Sequence, residues 1–394
     1  MISVTDAKNI IRENARCLAP MRCTLDQASN KILANTIYAP FDIPTFPQSS
    51  MDGYAISFNS WQKDPHLKVE GESAAGTCNA SSLLPGRAMR IFTGAPVPEG
   101  ADTIVIQEKA NVEAGILSIS DEKLSRGQFV RAPGSEIRKD EIALHKGALL
   151  TPAAIGFLAG IGVTNVDVYP LPSVTIILTG NELQKPGKSL GYGQVYESNS
   201  FTLKAALQQI YIDQVETKEV ADDLNLLIGE LEKSLITSDI VLLTGGISVG
   251  DYDFVLKATE ACAVKKLFHK VKQRPGKPLF FGMKEGKIVF GLPGNPSSVL
   301  TCFYEYVLPA LGILSNKTVE LHPLKVPLAN SYTKSAGLTH FLKGMYNGKT
   351  VRVLSSQESY KMNSFAIANC LIIINETVTG HNTGDLVEIH LLPV

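Results

Sequence analysis

Asp239-Ile240-Val241-Leu242-Leu243-Thr244-Gly245-Gly246-Ile247-Ser248-Val249-Gly250-Asp251-Tyr252-Asp253 reads as a buried strand that runs straight into a glycine loop. Residues 240–243 are continuously apolar, the pattern of a strand covered on both faces. The same pattern occurs upstream, where residues 174–178 form an apolar run ending at Thr179-Gly180-Asn181-Glu182-Leu183. It recurs downstream, where residues 287–290 lead into Gly291-Leu292-Pro293-Gly294-Asn295-Pro296 and a helix from Ser297. Between these runs lie helical periodicities: Leu203, Ala206, Leu207 and Ile210, then Leu224, Leu227, Ile228, Leu231 and Leu235. Strands alternating with helices predict a mostly parallel, doubly wound α/β sheet.

In such a sheet, ligands bind beyond the carboxyl ends of the strands. Three ends pair small residues with polar ones: Thr179 and Gly180; Gly245, Gly246, Ser248, Gly250 and Asp251; and Pro293, Gly294, Asn295, Pro296 and Ser298. Glycine lets a backbone approach an anion closely, and N–H groups at a helix start favour negative charge, so a phosphate-bearing ligand is expected. One such loop alone is as readily a plain βα turn; three in one domain favour a site. Positive charge comes from Lys270, Lys272, Arg274 and Lys277. A charge run is usually a solvated face, but the turn Pro275-Gly276-Lys277-Pro278 argues that Lys277 is aimed. Carboxylates complete the set: Glu182, Asp222, Asp251 and Asp253. Beside phosphate they suggest Mg²⁺. Asp222 could equally cap the helix that follows it, and Asp251 and Asp253 the helix near Phe254. Neither a G-x-S-x-G elbow nor a G-x-x-x-x-G-K-[ST] loop is present, and His269 reads as structural.

The flanking sequence has a different character. Ser3 or Thr5 can cap a first helix with Ala7, Ile10 and Ile11 on its apolar face, and a second helical stretch is expected at 25–34. Pro40, Pro44 and Pro47 enforce an extended segment. Residues 48–139 read as β-rich, with turn signals such as Asp52-Gly53 and Pro85-Gly86 and a strand at 101–108. A helix is expected at 152–162, with Pro152 in its first turn. After residue 315, short strands at 326–328, 351–354, 371–374 and 386–391 predict a small all-β domain. The chain of 394 residues has a formal net charge of −1, so no global field draws it to nucleic acid or anionic lipid. The six cysteines show neither C-x-x-C spacing nor zinc-finger spacing to histidine, as in a reducing, cytosolic setting. No signal peptide and no membrane span are expected.

Taken together these segments closely resemble the molybdopterin molybdenumtransferase family of MoeA type, which includes the E domain of gephyrin. The resemblance spans Pro47-Gln48-Ser49-Ser50-Met51-Asp52-Gly53-Tyr54-Ala55, the stretch at 90–103, Thr179-Gly180-Asn181-Glu182-Leu183, the glycine loop, Pro275-Gly276-Lys277-Pro278 and Gly291-Leu292-Pro293-Gly294-Asn295-Pro296. It implies an α/β multidomain fold. A discontinuous helical and linking domain would occupy 1–45 and 140–172, an inserted β subdomain 46–139, the molybdopterin-binding α/β domain 173–315 and a C-terminal β-barrel 316–394. It further implies a cytoplasmic homodimer whose site receives Asp52 from the second subunit.

The implied reaction is insertion of molybdate into adenylylated molybdopterin with release of AMP, assisted by Mg²⁺. An upstream adenylyltransferase is the implied supplier. By resemblance Asp52, Glu182, Asp222 and Asp253 match acidic site positions, with Glu182, Asp222 and Asp253 as metal ligands. Lys270, Arg274 and Lys277 match the basic segment, and Lys277 and Ser298 are placed nearest molybdate. The sequence departs from the family at Asn181, Glu136 and Glu197, each usually aspartate. It departs again at Lys343, usually arginine, and at Gln357-Glu358-Ser359-Tyr360, usually glycine-rich. Two alternatives stand beside this reading: a molybdopterin adenylyltransferase, and a pterin-binding scaffold with diminished catalysis.

Overall fold

The computed structural model describes residues 1–76, 82–246 and 254–393. It contains two compact units, one formed by Met1–Met21, Asn30–Ile32 and Val168–Val394, the other by Arg22–Ser29 and Leu33–Asp167.

In the first unit the apolar runs form one sheet. Its strand order is Val215–Val220, Val174–Thr179, Ile240–Thr244, Lys287–Leu292, Pro278–Lys284, Lys265–Lys270. The first four strands are parallel, and Pro278–Lys284 runs against them, pairing antiparallel with both Lys287–Leu292 and Lys265–Lys270. The expected mostly parallel sheet therefore carries an antiparallel edge that periodicity did not reveal. Lys265, Lys266 and Lys270 interrupt the apolar pattern of that edge, as charge often does on an edge strand.

Side-chain alternation along the sheet is what winds it doubly. Ile176, Leu178, Ile240 and Leu242 enter one core with Leu203, Leu207, Phe290 and Phe303. Ile177, Val241, Leu243 and Val289 enter another with Leu227, Leu231 and Val255. Burying each such side chain contributes roughly 1.5–3 kcal/mol, so both faces hold helices firmly.

The helices begin where their caps dictate. Ser3 and Asp6 form a reciprocal capping box on Val4–Asn14, which buries Ala7 and Ile11. Asp223 caps Leu224–Thr237 by accepting from Leu226 N at 3.0 Å. The cap expected of Asp222 therefore falls one residue later, because Asp222 is engaged elsewhere. A helical run follows Asn295: α-helical Pro296–Cys302, π-helical Phe303–Val307 and α-helical Leu308–Leu314. By length and composition Pro296–Leu314 could cross a membrane, but 89% of its most apolar window is buried within the protein, as in a core helix.

The C-terminal strands of the same unit run in the order Thr339–Tyr346, Cys370–Ile374, Leu386–Leu391, Pro323–Pro327. Val351–Val353 pairs with Thr339–Tyr346, and a bridge from Leu328 to Val351 closes the ring into a small barrel. Val326, Leu342, Val351, Ile372 and Ile389 fill it. The short strand Gln273–Arg274 joins this sheet, parallel to Thr339 and His340.

The second unit contains a mixed sheet ordered Thr103–Ile106, Gly53–Ile56, Arg87–Ile91, Leu67–Ser73, Ile116–Ile119, Ala110–Glu113. Gly53 opens a central strand rather than a simple turn. A Cβ there would lie 1.8 Å from the Val105 carbonyl oxygen, so only glycine admits the neighbouring strand. The helix expected at 25–34 is absent. A single 3₁₀ turn, Leu25–Gln27, ends as Asn30 adopts φ +58°, and Ile32–Leu33 continues as strand. Asparagine tolerates that left-handed conformation, and it stops the helix before the apolar residues are reached. The helix Pro152–Gly160 forms as expected, capped by Thr151.

Candidate functional site

The strand ends of the α/β sheet are locked together by backbone proximity. Gly245 and Gly246 adopt φ +87° and +62°. A Cβ on Gly245 would meet the Thr179 carbonyl oxygen at 2.0 Å, so glycine is needed for close approach as well as for the turn. Ser248, Gly250, Asp251 and Asp253 lie outside the described residues.

Asp222 is built into the neighbouring strand end. Its carboxylate accepts from Thr179 Oγ1 at 2.5 Å and from the Asn181 backbone N–H at 3.1 Å. Asn181 Oδ1 in turn accepts from Asp222 N at 3.2 Å. Asn181, where the family usually has aspartate, thereby makes a reciprocal pair that a carboxylate facing Asp222 would oppose by repulsion. Glu197, another departure, accepts from Ser200 N and Oγ and so fixes the start of Asn199–Gln208.

Next to these ends lies a cavity of about 830 Å³ whose walls include Glu182, Asn199, Arg274, Lys277, Asn295, Ser298 and Ser359. That volume is of the order expected for a small-molecule or cofactor site, roughly 300–1,000 Å³. Pro293, Gly294 and Pro296 also line it. Gly180 instead lines a smaller cavity of about 240 Å³, which shares Leu183 and Glu197 with the larger one. Lys270 ends the edge strand, where its carbonyl accepts from Ile2 N, and it is not among the residues lining the main cavity. Thus the structure gathers Glu182, Arg274, Lys277, Asn295 and Ser298 around one space and holds Asp222 at the adjoining strand end.

Asn199 is a contributor that sequence reading missed. Its Nδ2 donates to Thr244 Oγ1 and to the Gly294 carbonyl oxygen, both at 2.9 Å, tying the glycine-loop strand end to the Pro293–Pro296 turn. Among the described residues its buried Oδ1 has no hydrogen-bond partner. An asparagine just after Glu197-Ser198 at a helix start was the available signal.

The barrel supplies another wall. Asn295 Nδ2 donates to Ser359 Oγ at 2.8 Å, and Ser297 N donates to the Ser359 carbonyl oxygen at 3.1 Å. Lys343 is 2% exposed, and its ammonium donates to the carbonyl oxygens of Ser356, Lys361 and Glu358 at 2.7, 3.0 and 3.4 Å. Burial holds its pKa below the ordinary lysine value. Lys343 therefore braces the loop carrying Ser359 from behind.

In the other unit, Asp52 is exposed, and one carboxylate oxygen accepts from Thr93 N at 2.7 Å and Thr93 Oγ1 at 2.8 Å. The Thr93 backbone bond, then its hydroxyl, hold this carboxyl below the usual range. Among the described residues no group of three or more His, Cys, Asp or Glu side chains is gathered to hold a metal. Mg²⁺ often takes only one or two carboxylates and completes its shell with phosphate oxygens and water. Exposed Glu182 and strand-end Asp222 fit that donor set.

An α/β sheet with its strand-end cavity beside a small barrel defines a small-molecule-binding class of protein. A family model described as a probable molybdopterin binding domain matches residues 175–312. Models of the MoeA N-terminal region (domain I and II) and C-terminal region (domain IV) match residues 2–162 and 325–392. The molybdopterin molybdenumtransferase of Haemophilus influenzae is 33% identical over 384 residues, 93% of this chain and 94% of the relative. Molybdopterin molybdenumtransferase 2 of Mycobacterium tuberculosis is 31% identical over 99% of both chains. A solved molybdopterin biosynthesis MoeA protein from Pyrococcus horikoshii OT3 superposes with a TM-score of 0.76 at 27% identity, covering 100% of each chain. The chain belongs to the MoeA family of molybdopterin molybdenumtransferases.

Proposed function

We propose that this protein is a transferase of molybdenum-cofactor biosynthesis that inserts molybdenum into molybdopterin. The observation that carries the reading is the cavity of about 830 Å³, walled by Arg274 and Lys277 and lying beside three small-residue strand ends, in a chain of this family. The finer reading is that molybdate enters adenylylated molybdopterin and AMP leaves.

Arg274 presents a planar fork suited to a phosphate or molybdate oxyanion, and Lys277 a compact point charge beside it. Ser298, on the same cavity, can donate its hydroxyl to an oxyanion seated near Lys277. The glycine turn at Gly245 and Gly246 keeps the backbone open to a phosphate at the sheet edge. Glu182 and Asp222 would hold Mg²⁺, with Asp253 as the third carboxylate, though Asp253 lies outside the described residues. Bound there, the ion would offset charge on the cleaved phosphoanhydride. Cytoplasmic location and a homodimer, with Asp52 completing the site of the second copy and an upstream adenylyltransferase as supplier, belong to the same proposal.

The test is incubation of purified protein with adenylylated molybdopterin, molybdate and Mg²⁺. Release of AMP together with cofactor that activates a molybdenum apo-enzyme is expected. Tight pterin binding without AMP release would instead favour a scaffold. ATP-dependent adenylylation of molybdopterin would favour the adenylyltransferase.

A further inference from the structure

We infer that Gln273 and Tyr306 form a buried positioning pair that sets Arg274 and Lys277 against the anionic ligand; this rests on the cavity reading above. The two cations are exposed side chains on a short turn, and exposed cations alone do not define a geometry. Beneath them the turn is held from several sides. Gln273 is 0% exposed, and its Nε2 donates to the Pro275 carbonyl oxygen at 3.2 Å and the Gly276 carbonyl oxygen at 3.0 Å. Its Oε1 accepts from the hydroxyl of Tyr306, itself 0% exposed.

The two carbonyl oxygens fix the sense of the amide. Were the amide reversed, its oxygen would face two carbonyl oxygens. Gly276 lies so close that a Cβ would stand 2.5 Å from Cys302 Sγ and 3.0 Å from Gln273 Nε2. Cys302 and Tyr306 both belong to the helical run that starts at Pro296, Tyr306 in its π-helical segment. Single π turns within helices are often found at functional sites. One helix thus carries Ser298 on the cavity wall and, further along, the hydroxyl that orients the opposing turn.

The experiment titrates AMP, and separately molybdate, into the full-length protein by calorimetry. It compares wild type, Tyr306→Phe, the double variant Arg274→Ala/Lys277→Ala, and the triple combination. Tyr306→Phe is expected to weaken AMP binding about fivefold in the wild-type background, the equivalent of about 1 kcal/mol for one buried hydrogen bond. In the background lacking both cations it is expected to add nothing, because its effect passes through them. Equal weakening in both backgrounds would show a merely structural role and overturn the inference, as would no effect in either. If wild type binds neither anion, the cavity reading fails and the inference with it. If wild type binds and only the cation variant weakens, the inference alone fails. Gln273→Asn, which withdraws the amide by one methylene, is the second variant should Tyr306→Phe not fold, and the same non-additivity is expected of it.

Discussion

Two walls of the cavity are fixed by opposite means. The segment Arg274-Pro275-Gly276-Lys277-Pro278 sends its two charges outward and is anchored from beneath by a neutral amide and a tyrosine hydroxyl. The loop around Ser359 does the reverse. Lys343, on the strand behind it, points inward and is satisfied by three backbone carbonyls, while Ser359, Tyr360 and Glu358, whose carboxylate pairs with Lys361, line the cavity without offering a cation. A buried ammonium satisfied by carbonyls is a structural brace, whereas cations exposed on a braced turn are free to meet an anion. A lysine or arginine near a site can thus serve either purpose, and only the direction of its head group distinguishes them.

The largest effect should come from emptying the first wall. Arg274→Ala/Lys277→Ala removes two charge-assisted contacts, each worth about 1.5–3 kcal/mol, so AMP affinity should fall by about a hundredfold or more. Thermal stability should hardly change, since neither side chain is buried. Calorimetry and a thermal melt read the two together; a large loss of stability would break the contrast between the walls.

The second wall should answer in the opposite currency. Lys343→Met leaves carbonyls of the loop without their donor, costing about 1–3 kcal/mol in denaturant unfolding, with a smaller change in AMP affinity. The ammonium's pKa is lowered in the folded protein, so the unfolded chain binds the proton more readily there. Stability carried by this group therefore rises as pH increases through the window between the folded and ordinary lysine values. A Lys343→Met protein of unchanged stability would refute the brace.

Asn295→Ala tests the joint between the walls. Losing the bond to Ser359 should cost about 1 kcal/mol or less, because the pair is exposed. It should be seen as faster hydrogen exchange around Ser359 rather than as a shifted melt.

The smallest effect lies away from both walls. Asp52 is held below the ordinary carboxyl range by Thr93. Its ionised form is favoured above the ordinary value of 3.8, and that preference is lost as pH falls through the lowered folded value. Thr93→Val, which removes only the hydroxyl bond, should raise the Asp52 pKa in an NMR titration. An unmoved titration would mean that the Thr93 hydroxyl is not what lowers it.

What sequence could show follows the same division. The doubly wound sheet was legible because apolar runs at 174–178 and 240–243 alternate between two cores, and burial of both faces leaves no other pattern. The strand-end residues could be named because glycine and proline mark backbone geometry directly. Asn199, Gln273 and Tyr306 could not be found that way. Their roles depend on partners 45 and 33 residues away or on carbonyl oxygens, which carry no residue-type signal. Lys343 was visible as a departure from the family pattern, but its direction was not. The failed helix at 25–34 has a local origin instead, since one asparagine in a left-handed conformation outweighed ten residues of reasonable propensity.

The most direct test of the account is a crystal structure of the protein soaked with AMP and molybdate. Both anions are expected in the cavity bordered by Arg274, Lys277 and Ser298, with Lys343 still bonded to its loop carbonyls. Anions seated elsewhere, or Lys343 turned out to meet one of them, would contradict it.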